Sequence, residues 1–208
     1  MKLACTLGLL VALAAGSWGC DLFQPEEPEE KKKKDTVEYT MPEHGIVDFL
    51  GVEGIAVDIH TSDALTTTFG SPEVTNESGD YLYYYYPSRG LKFNVNTVTD
   101  VVVAAYVYGE GWRYNVSGTP GTYDRYPYAT SRGVELNMPT STMDHVLENY
   151  GEPTGKGTMG DKDTTEPYPR YFRYVKDTLN HTAGMDFYFV GTDTTDYAGK
   201  EISKITMY

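Results

Sequence analysis

The chain has 208 residues, of which 30 are acidic and 17 basic, and its net charge is −13. A surface of this charge repels phosphate backbones, which excludes nucleic acid as a partner. Nineteen tyrosines, together with many threonines and valines, favour strands over helical bundles, because aromatic and β-branched side chains fit a pleated sheet. The chain is long enough for one domain with a core or for two small ones.

Residues 1–19 have the pattern of a secretory signal peptide. Lys2 gives a short positive start, and residues 3–15 are mostly apolar. A run of about a dozen apolar residues is shorter than the roughly 20 that a permanent membrane helix needs. We expect this segment to be removed after export.

The signal ends on a cysteine. Gly16, Ser17 and Gly19 precede Cys20 and resemble the lipobox of bacterial lipoproteins, in which cleavage leaves a cysteine that carries diacylglycerol. The resemblance implies that Cys20 is the lipidated N-terminus. Cys5 leaves with the signal, so the mature chain has one thiol and cannot close an internal disulfide. The alternative is a soluble secreted protein with a free thiol, since the small residues also suit ordinary secretory cleavage.

Residues 20–37 are rich in glutamate, lysine and proline and have no apolar pattern after Phe23. Such a composition cannot bury enough surface to fold, which predicts a disordered tether. The lipid on Cys20 would then hold the protein to the bacterial cell envelope, either at the outer membrane or at the periplasmic face of the inner membrane.

The sequence after the tether contains an internal repeat. Gly54–Ser62 (GIAVDIHTS) is echoed by Gly133–Ser141 (GVELNMPTS). A short helical pattern follows each copy and ends in a Gly-x-Pro motif, at residues 70–72 and 151–153. The two copies therefore predict two equivalent helices.

The second of these helices has the clearer pattern. Its apolar residues follow the spacing i, i+3, i+4, i+7: Met143, Val146, Leu147 and Tyr150. This spacing predicts an amphipathic helix of about three turns. We expect Thr140 or Ser141 to cap its start and Gly151 to end it in a left-handed conformation. The first helix, residues 65–69, is predicted to be shorter.

Strand patterns follow both helices. Gly90–Val95 aligns with Gly184–Phe189, and a further strand pattern comes after each. We predict an α+β fold of two tandem repeats, residues 38–111 and 112–208, each a short helix packed on an antiparallel meander sheet. Residues 46–50 are expected to add an edge strand.

These motifs resemble two known groups of proteins. The Gly-Ile or Gly-Val start, the helix that ends in Gly-x-Pro and the Gly-x-x-Phe strand are similar to the helix-plus-sheet unit of beta-lactamase inhibitory protein. They are also similar to the BamE (SmpA/OmlA) outer-membrane lipoproteins. The resemblance implies a helix-on-sheet fold and a role in binding other proteins.

Alternation along the strands separates an apolar face from a polar one. The expected core residues are Leu91, Phe93, Val95, Ala105, Val107, Met185, Phe187, Phe189, Ile205 and Met207. The opposite face is expected to carry Tyr83, Tyr85, Tyr106, Tyr108, Tyr171, Arg173, Tyr188 and Tyr208, together with Lys92, Asn94, Asp186 and Lys204. Tyrosine and arginine are common interface hot spots, so the first eight are the candidate partner-binding residues. Alternatively, these tyrosines are half-buried strand residues. An exposed face predicts that Tyr85→Ala and Tyr188→Ala leave folding intact.

No catalytic or metal-binding motif stands out. The four histidines are scattered, and there is no His-Glu-x-x-His pattern or pair of nearby cysteines. Asp161, Asp163, Asp193 and Asp196 could offer oxygens to calcium, but they lack EF-hand spacing. We therefore predict no catalytic residue, no metal and no cofactor.

The sequence leaves three classes of function open. The first is a membrane-anchored envelope lipoprotein that binds a protein partner without catalysis. The second is a structural or assembly accessory of the outer membrane. The third is a ligand-binding or hydrolytic domain with an acidic cleft between the two units.

Overall fold

β-Strands are the main regular structure of the described chain. The computed structural model describes residues 43–158, 169–177, 182–191 and 194–208, so the signal segment, Cys20 and the tether lie outside the described residues. In chain order the first elements are β1 (Ile46–Val47), β2 (Gly51–Val52), β3 (Ile55–Ala56), α1 (Ser62–Phe69), β4 (Val74–Ser78), β5 (Tyr81–Tyr86), β6 (Leu91–Asn96) and β7 (Val101–Tyr108). The remaining elements are β8 (Arg113–Val116), β9 (Thr119–Thr122), α2 (Met143–Tyr150), β10 (Gly155–Thr158), β11 (Pro169–Asp177), β12 (Thr182–Val190) and β13 (Lys204–Met207).

Eight of these strands form one antiparallel sheet, which corrects the predicted fold. The strand order across it is β10-β11-β12-β13-β7-β6-β5-β4. The predicted α+β arrangement of two tandem repeats, each a short helix on its own meander sheet, is wrong. The described residues are mostly β, with only two α-helices, and β13 pairs directly with β7.

Backbone pairing between β13 and β7 explains why strands β4–β7 and strands β10–β13 form one sheet. Four residue pairs join β13 to β7. Without this pairing each strand would be an edge with N–H and C=O groups that need partners. Ile205 and Val107 lie opposite each other at this junction, and both are fully buried. The predicted boundary between residues 111 and 112 falls in the turn that follows β7.

Both helices are short and end on glycine. Gly70 and Gly151 adopt φ values of 80° and 77°, and each donates its backbone N–H to a carbonyl in the preceding turn. Their ψ values are −168° and −160°, so Gly151 does not adopt the expected left-handed helical conformation. Helix α2 has eight residues, about two turns, and Thr142 is its N-cap. Ser141 does not cap it, because its hydroxyl accepts a hydrogen bond from the N–H of Glu135.

One apolar cluster fills the space between the large sheet, the helices and the small sheet β1-β2-β3. The predicted core is confirmed, since all ten residues are at most 2 % exposed: Leu91, Phe93, Val95, Ala105, Val107, Met185, Phe187, Phe189, Ile205 and Met207. Residues 46–50 do not extend the large sheet. Ile46 and Val47 pair with β2 instead.

The segment after β7 contains a hairpin. Strands β8 and β9 pair through a turn at Ser117 and Gly118, whose φ values are 51° and 82°. Two positive φ angles match a tight two-residue hairpin loop. The hairpin is the element that shapes the functional face described below.

No helix among the described residues is both long and apolar enough to cross a membrane.

The continuous sheet predicts a single cooperative unfolding transition. Ile205→Ala is expected to lower the free energy of unfolding by about 2–5 kcal/mol, because it leaves a cavity at the β7–β13 junction. Val98→Ala is the control, since Val98 is 82 % exposed and its replacement should cost less than about 0.5 kcal/mol. Urea denaturation measures the free energies of unfolding. Hydrogen exchange compares the opening of strands β4–β7 with that of strands β10–β13. Separate transitions for β4–β7 and β10–β13 would contradict the shared sheet.

Candidate protein-binding face

The sheet face opposite the helices carries all the predicted partner-binding residues, as strand pairing demonstrates. Residues directly opposite each other in an antiparallel sheet point to the same side. One row crosses six strands: Tyr85, Lys92, Tyr106, Thr206, Asp186 and Arg173. A second row contains Tyr108, Lys204, Tyr188 and Tyr171. We call this side, together with Tyr83, Asn94 and Tyr208, the tyrosine face.

Exposure divides the eight candidates into two groups. Tyr85, Tyr108 and Tyr188 are buried, with 8 %, 6 % and 8 % of their surface exposed. The partly exposed group is Tyr83, Tyr106, Tyr171, Arg173 and Tyr208. Removing a buried aromatic side chain costs about 3–5 kcal/mol. Alanine at positions 85 and 188 is therefore no longer expected to leave folding intact.

The hairpin β8–β9 causes part of this burial, because it packs on one end of the tyrosine face. The ring of Tyr123 stacks on Tyr108 with 3.9 Å between centroids and 12° between planes. Tyr114 lies against Tyr85 at 5.7 Å. Val116 completes this second apolar cluster. The remaining part of the face is the part on which a partner could dock.

Lys92 lies among tyrosine rings on this face. Its ammonium nitrogen is 4.6 Å from the ring centroids of Tyr83 and Tyr106 and 5.4 Å from that of Tyr85. Aromatic faces attract cations through their quadrupole. Burial nevertheless lowers the pKa of Lys92 from 10.5 to about 8, so the rings replace only part of the lost hydration.

Lys204 lies in the second row and is more deeply buried, with 2 % of its surface exposed. Its ammonium nitrogen lies 4.5 Å from the ring centroid of Tyr188 and about 5 Å from three others. Burial, the nearby charge of Lys92 and the opposing effect of Asp186 set the pKa of Lys204 at about 7. Two adjacent lysines in the middle of the face therefore titrate near neutral pH.

Arg173 and Asp186 form a bidentate ion pair at the other end of the first row. Arg173 donates from Nε and Nη2 to the two carboxylate oxygens, at 2.9 and 2.8 Å. Tyr208 donates its hydroxyl to the same carboxylate at 3.2 Å. The hydrogen bond to Asp186 raises the pKa of Arg173, so this arginine keeps its charge. The guanidinium remains partly exposed and can contact a partner.

Two of the exposed tyrosines lie flat over glycines. The ring of Tyr171 lies over Gly157 and that of Tyr208 over Gly184, so a Cβ at either glycine would collide with the ring. Each ring is held along the sheet with one face against backbone. Such rings offer contact area without a large loss of conformational freedom on binding.

The described residues bring together no group of three His, Cys, Asp or Glu side chains that could hold a metal ion. Of the four aspartates considered for calcium, Asp161, Asp163 and Asp193 lie outside the described residues. Asp196 is described and forms an ion pair with Lys200 at 3.5 Å.

Comparison with known proteins does not assign the chain to a family. No family model, curated protein or solved structure matches the chain. The resemblance to beta-lactamase inhibitory protein and to the BamE group therefore stays a prediction made from short motifs.

Sequence reasoning missed the aromatic residues of the hairpin and the role of the two lysines. A Ser-Gly pair between two short alternating stretches was the available signal for the hairpin. Alternation placed Lys92 and Lys204 on this face, but their burial depends on rings supplied by strands far apart in sequence. No local pattern reports that.

The two lysines predict that stability increases with pH. Between pH 7 and 9.5 the unfolded chain keeps both lysines protonated while the folded chain loses those protons, so the free energy of unfolding should rise. The limit is about 1.4 kcal/mol per pH unit for each group, and less for the partly exposed Lys92. Burial raises the pKa of Tyr106, Tyr108 and Tyr188, so these groups stay neutral in this range.

Urea denaturation at several pH values measures this effect. Lys204→Met should remove most of the rise, whereas Lys156→Met should keep it, because Lys156 is exposed on β10. A wild-type stability that does not rise, or a rise of undiminished size in Lys204→Met, would contradict the buried charge of Lys204.

Proposed function

We propose that the protein is a lipid-anchored, non-catalytic binding protein of the bacterial cell envelope, and that it holds a protein partner on the tyrosine face. The observation that supports this most strongly is a row of side chains across six strands, four of which are aromatic or basic: Tyr85, Lys92, Tyr106 and Arg173. These side chains lie together on one face although the net charge of the chain is −13. It is not needed to cover the core, which lies on the other side of the sheet.

The dimensions of the face suit a protein interface. Six strands at about 4.8 Å spacing span about 24 Å, and a nine-residue strand is about 30 Å long. The resulting area, on the order of 700 Å², is close to the roughly 800 Å² that each partner contributes to a standard interface. The hairpin takes up one end of this area, so the partner would use the open part near β11 and β12 together with the Tyr83 end of β5.

The residue types also favour protein binding. Interface hot spots are enriched in tyrosine and arginine. Tyr171 and Tyr208 are held in place over glycines, and Arg173 is held by Asp186. A partner that binds these side chains would lose little entropy in ordering them.

The anchor is the second part of the proposal. A diacylglycerol on Cys20 supplies two acyl chains, and each buried CH₂ contributes about 0.8 kcal/mol to membrane binding, which makes the attachment stable. If residues 20–37 form the predicted disordered tether, these eighteen residues would reach on the order of 20 Å, which is enough to clear the lipid headgroups. The domain would then meet its partner close to the membrane.

The partly exposed tyrosines provide a test of the binding face. The double variant Tyr83→Ala, Tyr171→Ala should lower the affinity for the partner at least tenfold while the melting temperature changes little, because both rings are partly exposed. Affinity capture from detergent-solubilised envelopes, with quantitative mass spectrometry, measures the loss. Tyr128→Ala is the matched control, since Tyr128 is 37 % exposed and stacks on His44 away from this face. Equal capture by both variants would refute the proposed face.

The lipid anchor is tested by metabolic labelling. The full chain, expressed in a bacterium with a clickable fatty acid, should become labelled, and Cys20→Ala should abolish the label. In-gel fluorescence of the purified protein gives the result. Label that persists in Cys20→Ala, or a wild-type chain without label, would point to a secreted protein instead.

A further inference from the structure

Lys92 differs in its surroundings from the paired arginines of the domain. Arg173 is paired with Asp186, and Arg132 is paired with Asp48 at 3.1 Å. The ammonium of Lys92 contacts aromatic rings, and no described residue forms an ion pair or a hydrogen bond with it. Rings stabilise a cation less than a carboxylate does when both are out of water. An anion brought to Lys92 would therefore gain a strong, largely desolvated partner.

Hydrogen-bonding groups beside Lys92 are also uncommitted. Asn94 donates from Nδ2 to the hydroxyl oxygen of Tyr106 at 2.9 Å, which leaves the hydroxyl hydrogen of Tyr106 available to an acceptor. The ammonium itself offers three donors. Together they form a small set of donors on one side of the sheet, which fits the two oxygens of a carboxylate.

The charges around Lys92 also favour the binding of an anion. Lys204 lies on the other side of Tyr106, 5.1 Å from the ring centroid, and the charge of Lys92 lowers the pKa of Lys204. Two like charges in a desolvated site repel each other, and a carboxylate near them would relieve that repulsion. The chain as a whole carries −13, so a long polyanion would be repelled and only a short acidic segment would fit.

We infer that the part of the tyrosine face around Lys92 is a carboxylate-binding site, which takes an aspartate or glutamate from an acidic segment of the protein partner. This inference rests on the proposed function and adds the chemistry of the partner. The carboxylate accepts hydrogen bonds from the ammonium of Lys92 and the hydroxyl of Tyr106, while Tyr83 and Tyr85 flank it.

Photocrosslinking in intact cells identifies the segment. A p-benzoylphenylalanine at position 81 in the full chain places the probe at an exposed site on β5, two residues from Tyr83, where the natural tyrosine is 41 % exposed. Mass spectrometry of the adduct then maps the partner segment. We expect a segment that contains aspartate or glutamate. A segment without either, or an adduct with lipid, would overturn the inference, and the absence of any adduct would overturn the proposed function as well.

The affinity of that segment tests the contact itself. It is made as a synthetic peptide, with a second version in which each aspartate and glutamate becomes asparagine or glutamine. Lys92→Met and the amide peptide should each weaken binding at least tenfold, and the two changes together should cost no more than either alone. Lys156→Met, a change of the same kind on an exposed lysine of β10, should not weaken binding.

If the losses of affinity from Lys92→Met and from the amide peptide add up, the two changes act independently. That result would overturn the carboxylate contact while leaving the proposed binding face in place. Lys92→Met keeps the aliphatic stem and removes a desolvated charge, so its melting temperature should not fall. If it does fall, the amide peptide measured against the wild-type protein still decides the question, since unchanged affinity for that peptide excludes a role for its carboxylates.

Discussion

The backbone ladder between β13 and β7 is the interaction on which the rest of the structure depends. Its four residue pairs turn two groups of four strands into one sheet with one core. The same pairing places Lys204 beside Tyr108 and Thr206 beside Tyr106, so the tyrosine face exists as a continuous surface only because the ladder forms. A mutation that weakened the junction would therefore disturb both the core and the proposed binding surface.

Aromatic rings serve here as the main surroundings of buried cations. A carboxylate beside Lys92 would stabilise its charge more strongly, but it would also occupy the place that a partner's acidic group is proposed to take. Rings reduce the cost of burial while leaving the cation able to bind an anion. The pKa of Lys92 is about 8. The lysine is therefore still mostly protonated at neutral pH, but its charge is less well stabilised than in water. Arg173, paired with Asp186, supplies the permanently charged part of the same face.

The sequence predicts local features of this fold well and distant ones poorly. Alternation in β6, β12 and β13 correctly identified the residues that face the core, and Gly70 and Gly151 marked the ends of both helices. The pairing of Met207 with Ala105 joins residues about a hundred positions apart, and no local signal reports such a contact. The expected exposure of Tyr85 and Tyr108 is wrong for the same reason, because the rings that cover them come from the hairpin.

Gly109 determines where the hairpin starts. Its N–H donates to the carbonyl of Ser203, and the amide of Asn137 lies where a Cβ would be, so no other residue fits without movement. The tip at Ser117 and Gly118 is by contrast an exposed turn. Length and sequence can therefore vary at the tip without disturbing the sheet, as is typical of loops presented by a rigid scaffold. A change at the tip would therefore alter the border of the tyrosine face while its central rows stay in place.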